Sequence, residues 1–179
     1  MTQPGTSALR LNRALVLLLV GCGAALAQPQ ERTLELRDGA TLRFRVLDPA
    51  EPGLPSARSV SERLLQHLAA GQIEEAALLS TAPRRRFEEL AKYRLTVGER
   101  EFRQVFERYV AAGAPLVEVA AGGHRLLVWD LVEGPEQRLA GQYFVEIEGR
   151  FLLDDVPNET RSQLRQLLEA FRAGRVPVM

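Results

Sequence analysis

Two carboxylates and a phenol are the side chains of this chain best placed to do chemistry. Four strand-like segments, 116–121, 125–133, 138–147 and 150–156, are joined by the short turns Gly122-Gly123, Gly134-Pro135-Glu136-Gln137 and Glu148-Gly149. Such spacing predicts an antiparallel meander. In the register those turns suggest, Val132 lies opposite Leu139, Asp130 opposite Gly141, Val128 opposite Tyr143 and Leu126 opposite Val145. The last hairpin then sets Val145 against Leu152 and Tyr143 against Asp154. Alternate residues of a strand share a face, so Asp130, Tyr143 and Asp154 fall among aliphatic side chains on a face expected to turn inward against helices. A carboxylate walled by aliphatics is disfavoured as an anion; its pKa rises and it can exchange a proton near neutrality. The bland alternative places Asp130 on a bulge marked by Gly141 and leaves Asp154 and Asp155 wet at a strand end. Tyr143 is then a buried phenol bonded to a carboxylate for structural reasons alone.

Other candidates are weaker. Arg84-Arg85-Arg86 is a local basic run able to hold a phosphate, a carboxylated glycan or an acidic partner. Its alternative is a solvated helix turn answered by Glu88 and Glu89 at i, i+3 and i, i+4. Trp129, the single tryptophan, alternates onto the face opposite Asp130. With Leu127, Leu131 and Phe144 it would make that outer face a partner surface, or ground for the amino-terminal hairpin. His67 and His124 are the only histidines and lack any H-x-x-H or H-E-x-x-H spacing, so no metal site is expected. No nucleophile elbow, P-loop or dinucleotide fingerprint is present, and no cofactor is expected.

The elements that must position these residues are readable in order. Residues 33–46 alternate with period two, and a three-residue loop, Arg37-Asp38-Gly39, sets Leu34 against Leu42 with Gly39 left-handed. A Pro-rich connector, residues 48–55, follows. Ser59 and Glu62 read as a capping box ahead of Val60, Leu64, Leu65 and Leu68, and Gly71 closes that helix. A short helix over 73–79, a third from Pro83 to about Tyr93 and a fourth over 99–112 with Phe102, Val105, Phe106 and Tyr109 on one stripe complete the helical half. After the meander, Asn158 caps a last helix with Leu164, Leu167, Leu168 and Phe171 on one face, ended by Gly174. The sum is an α+β fold: an N-terminal β-hairpin, three to four helices, an antiparallel four-stranded meander and a C-terminal helix.

Gly71-Gln72-Ile73-Glu74-Glu75-Ala76 between the first helices, and the closing hairpin from Val145 through Gly149 to Asp155, give the order of elements over 59–156 a resemblance to the NTF2-like, cystatin-like α+β roll. The hairpin and the final helix depart from that family's simplest pattern, and the final helix would block or line the open end of its cone. NTF2-like enzymes resembling ketosteroid isomerase place a carboxylate and a tyrosine in an apolar cone. The resemblance thus implies an acid–base role for Asp130 or Asp154, with Tyr143 as hydrogen-bond donor.

The amino terminus says where the protein goes. Arg10 and Arg13 precede the apolar run 14–20, and Ala25-Leu26-Ala27 offers a cut before Gln28. A positive n-region, a short apolar core and an A-x-A site mark a secretory signal over 1–27. Leu19-Val20-Gly21-Cys22 resembles a lipobox, which would instead make an acylated Cys22 the first residue and a membrane anchor. The expected domains are therefore the signal, the hairpin with its connector (28–58) and the α+β body (59–179). Cys22 is the only cysteine, so a chain cut after Ala27 has neither disulfide nor thiol chemistry. That cut removes two arginines and no acid, leaving 21 basic residues against 23 acidic. A near-neutral body gives no long-range attraction for nucleic acid, and no transmembrane helix is expected in the mature chain. The reading is a periplasmic or secreted binding or accessory domain for an envelope protein or small apolar ligand. A small-molecule isomerase or lyase and a homodimeric structural module are the alternatives.

Overall fold

The computed structural model describes residues 31–47, 56–133 and 136–177. The signal segment with Cys22, the Pro-rich connector 48–55 and the turn 134–135 lie outside the described residues. Strands β1 (Glu31–Glu35) and β2 (Thr41–Leu47) form the hairpin; Leu34 pairs with Leu42, and Gly39 is left-handed at φ 81°. Asp38 Oδ1 accepts from the Ala40 amide at 3.1 Å and tightens the turn.

The chain then builds α1 (Ala57–Ala69), α2 (Ile73–Ala77), α3 (Pro83–Val97) and α4 (Glu99–Ala112) before returning to the sheet. Helix α1 starts three residues earlier than expected. Ser56 is its N-cap and accepts from the Ser59 amide, while Ser59 returns the bond to the Ser56 amide at 3.1 Å, so Ser59 is the third helical residue and not the cap.

Strands β3 (Val117–Ala121), β4 (His124–Glu133), β5 (Glu136–Ile147) and β6 (Arg150–Leu153) follow, then α5 (Glu159–Arg172). The expected four-stranded meander is in fact part of one six-stranded antiparallel sheet, ordered β1-β2-β3-β4-β5-β6. β2 pairs with β3, Val46 opposite Val119, so the hairpin and the meander share a sheet. Between β4 and β5 the register is two residues from the one expected: Asp130 faces Leu139, Val128 faces Gly141 and Leu126 faces Tyr143. The ladder closes at Glu133 and Glu136, a tighter turn than the four residues allowed for it. A shift of two leaves every side chain on its assigned face.

Both faces of the sheet are covered. Leu127, Trp129, Leu131 and Phe144 pack under α1–α4 with Leu64, Ile73 and Phe102. Leu126, Val128, Val119 and Phe44 pack under α5 with Leu164, Leu167, Leu168 and Phe171. The face holding Asp130 and Tyr143 is thus covered by the C-terminal helix, and the helical half lies on the other side. Trp129 is only 1% exposed and offers no outer surface. Its indole N–H donates to Gln142 Oε1 at 3.0 Å, an oxygen that also accepts from the buried Ser61 hydroxyl. Among the described residues no helix is long and apolar enough to cross a membrane.

Candidate functional site

The site begins with a mismatch of strand lengths. β5 runs for 12 residues but β6 for only four, and their ladder spans Phe144 to Ile147 of β5. Beyond it the chain bends away after Asp154, whose amide donates to the Tyr143 carbonyl at 2.7 Å. The outer edge of β6 is closed by the α2–α3 loop: Leu153 N–H donates to the Leu79 carbonyl at 2.8 Å, and Thr81 N–H to Leu153 at 2.9 Å. The first half of β5 is left as a sheet edge, with α4 on one side and α5 on the other.

A cleft of about 520 Å³ opens there. Val105 and Tyr109 of α4, Leu131 and Ala140 of the sheet and Leu168 of α5 give it apolar walls. Four arginines, Arg108, Arg138, Arg165 and Arg172, line it against one acid, Glu169. A second compartment of about 250 Å³ shares Gly141 and Tyr143 with the first and reaches Asp154, Asp155 and Arg161. Gly141 sets the depth of both, because a Cβ there would stand 2.6 Å from Leu168 Cδ2 and 3.1 Å from Leu126 Cδ1. Its ladder with Val128 is continuous, so the glycine serves the close approach of α5 and not the bulge expected of it.

Tyr143 stands in the middle. Burial pushes its phenol above the ordinary range, while Arg165, Arg172 and Arg161 pull the other way. The Arg161 guanidinium lies over the Tyr143 ring, 5.7 Å from its centre. Arg172 donates from Nε and Nη2 to the Leu139 carbonyl at 2.9 and 2.7 Å, covering part of the open edge.

The acid–base candidates do not converge. Asp154 is 3% exposed beside Tyr143, but it accepts from Asn158 Nδ2 at 2.9 and 3.2 Å and lies 3.2 Å from His124 Nδ1. Asn158 is also the α5 N-cap, accepting from the Arg161 amide at 2.8 Å, so Asp154 holds the start of that helix. Asp130 pairs with Leu139, four residues along β5 from Tyr143, roughly 13 Å away at the usual rise. It lines an adjoining groove with Leu116, Leu139 and Phe171, which shares Arg138 and Arg172 with the cleft.

The basic run divides three ways. Arg84 and Arg85 pair with Glu88 and Glu89 at 3.1 and 3.3 Å on the solvent side, as the bland alternative expects. Arg86 turns inward and binds the Asp155 carboxylate with Nε and Nη2. Asp155, 2% exposed, also accepts from Ser80 Oγ at 2.6 Å, and its carbonyl accepts from Arg85. It is therefore a buried structural anchor rather than a wet strand end. His67 bonds Gln72 Oε1 at 2.8 Å beside the α1–α2 junction.

The arginines of α5 escaped the sequence reading. Arg161, Arg165 and Arg172 recur at i, i+4 and i+11, which places them on one helical face. The spacing is present in the sequence, but its members are scattered over 12 residues, unlike the contiguous run at 84–86. No protein-family model, characterised protein or solved structure matches this chain.

Proposed function

We propose that this chain is an exported, non-catalytic binding or accessory domain, and that it binds in the cleft on the open edge of β5. The observation that carries the reading is the cleft itself. Its volume falls in the usual range for small-molecule sites, and its lining combines apolar side chains, Val105, Leu131 and Leu168, with arginines from α4, β5 and α5. The enzyme alternative has less behind it. A general base must reach the proton that it takes, yet Asp154 is committed to Asn158 and His124, and Asp130 opens on another groove. The homodimer alternative drew on an open sheet face, whereas α1–α4 and α5 cover the two faces. We keep the NTF2-like roll as our reading of the α1–β6 order, with α5 and the hairpin as additions to it. Export rests on residues 1–27.

The test is native mass spectrometry of the protein recovered from its own cell envelope, alongside a Val105→Trp variant whose urea melt shows it folded. The expected result is a small-molecule adduct on the wild type that the variant loses. An adduct kept by Val105→Trp, or a turnover abolished by Asp130→Asn, overturns the reading.

A further inference from the structure

Resting on that reading of the cleft, we infer that its ligand is a small organic anion, a carboxylate or phosphate carried on an apolar body, gripped by Arg165 and Arg161. Three observations converge on this. The cleft is lined by four arginines and one glutamate; Arg172 holds Glu169 at 2.7 Å and Arg108 lies 3.9 Å from Glu101, whereas Arg165 faces the cleft without an ion pair among the described residues. Among the described residues neither Arg161 nor Arg165 has a carboxylate within ion-pair distance, while most other arginines of the helices are so paired. The Nε of Arg161 is buried without a hydrogen-bond acceptor. A buried donor left in this state calls for an acceptor from outside the chain.

The cations surround one point. Arg165, Arg172 and Arg161 all act on the Tyr143 phenol, which lies where the two compartments meet. A guanidinium presents its N–H groups as a planar fork matched to carboxylate or phosphate oxygens, and such charge-assisted bonds are stronger than neutral ones. The Tyr143 hydroxyl is a third donor. Val105, Leu131 and Leu168, with the ring of Tyr109, then receive the apolar body. An added β-strand fits less well, because Arg172 already covers the Leu139 carbonyl on the edge such a strand would use.

Calorimetric titration with phenyl phosphate, benzoate, benzyl alcohol and inorganic phosphate tests the inference. Wild type, Arg165→Gln, Arg161→Gln, Arg165→Lys and the surface control Arg84→Gln are compared. At least one of phenyl phosphate and benzoate is expected to saturate a single site, weakening as salt rises. Arg165→Gln and Arg161→Gln should each weaken it about tenfold or more. Arg165→Lys should fall between, and Arg84→Gln should match the wild type. Benzyl alcohol binding as tightly as benzoate and lost in Val105→Trp overturns the anion while leaving the cleft as the site. Inorganic phosphate binding as tightly as phenyl phosphate overturns the apolar body. If neither organic anion binds, or both glutamine variants bind like the wild type, the inference falls, and the reading of the cleft is judged by its own adduct test.

Discussion

Replacing Arg86 by alanine should cost far more stability than replacing Arg84, two residues away in the same basic run. The two arginines differ in what they leave behind. Asp155 is 2% exposed and its carboxylate is held by both Arg86 nitrogens and by the Ser80 hydroxyl. Without Arg86 a buried carboxylate keeps only Ser80. Breaking a buried pair by deleting one partner costs about 3–5 kcal/mol, a large share of the roughly 5–15 kcal/mol that holds a domain together. The Arg84–Glu88 pair, with side chains 94% and 61% exposed, is worth about 0.3–0.5 kcal/mol. With a urea dependence of about 2 kcal/mol per molar, Arg86→Ala should lower the unfolding midpoint by about 1.5–2.5 M, and Arg84→Ala by about 0.25 M at most. Fluorescence is a convenient assay, because the single tryptophan, Trp129, is buried in the core and reports global unfolding. Replacing both partners at once, Arg86→Met with Asp155→Leu, should recover most of the loss, since no charge is then stranded. A midpoint shift below about 0.5 M for Arg86→Ala, or equal shifts for the two single variants, would refute the reasoning.

Gly141→Ala should destabilise by about 1–3 kcal/mol through its contacts with Leu168 and Leu126, more than the ~0.4–1 kcal/mol gained from a stiffer unfolded chain. In a double-mutant cycle with Leu168→Ala the two losses should not add; strict additivity would show that α5 does not press on that glycine. Tyr143 is protonated more firmly in the folded chain than in the unfolded one, so its contribution is complete below about pH 10 and is lost as pH rises through its higher folded value. The stability of the wild type should therefore fall more steeply above about pH 10 than that of Tyr143→Phe, and parallel pH profiles would contradict the burial argument. The intact mass of the exported protein should correspond to a chain starting at Gln28, whereas one starting at an acylated Cys22 would establish the lipid anchor.

Local signals in this sequence were legible wherever one residue type has one use. The three-residue loop Arg37-Asp38-Gly39, chosen by matching the apolar faces of the two strands, gave the hairpin register, Asn158 marked the start of α5, and Gly71 and Gly174, both at positive φ, marked helix ends. Serines were ambiguous, because Ser56 and Ser59 both satisfy cap chemistry, and it is the extended backbone of Ser56 that makes it the cap. The β4–β5 turn was overestimated by two residues, yet Asp130, Gly141 and Tyr143 kept their faces because the error matched the period of the strand. Which helices cover which face was not legible. Leu126, Leu127, Val128, Trp129 and Leu131 are apolar on both sides of β4, and such a run signals burial on two faces without naming the cover. An outward Trp129 followed from assuming that only one face was covered.

The cleft depends on the double use of α5. Leu164, Leu167, Leu168 and Phe171 form the row that closes one face of the sheet, while Arg161, Arg165 and Arg172 lie roughly 90° round the same helix. Seating the leucine row therefore turns the arginine row toward the edge that β6 leaves open, and Gly141 lets the helix come close enough for those cations to act on Tyr143. The packing that stabilises the domain also delivers the charge. Arg165 itself is exposed and contributes nothing to that packing, so substitution there should change affinity and leave the urea midpoint in place. Arg86, half-buried against Asp155 and lining only the smaller compartment, should act mainly on the midpoint. If Arg165→Gln moved stability and affinity together, α5 could not be divided into a packing face and a binding face.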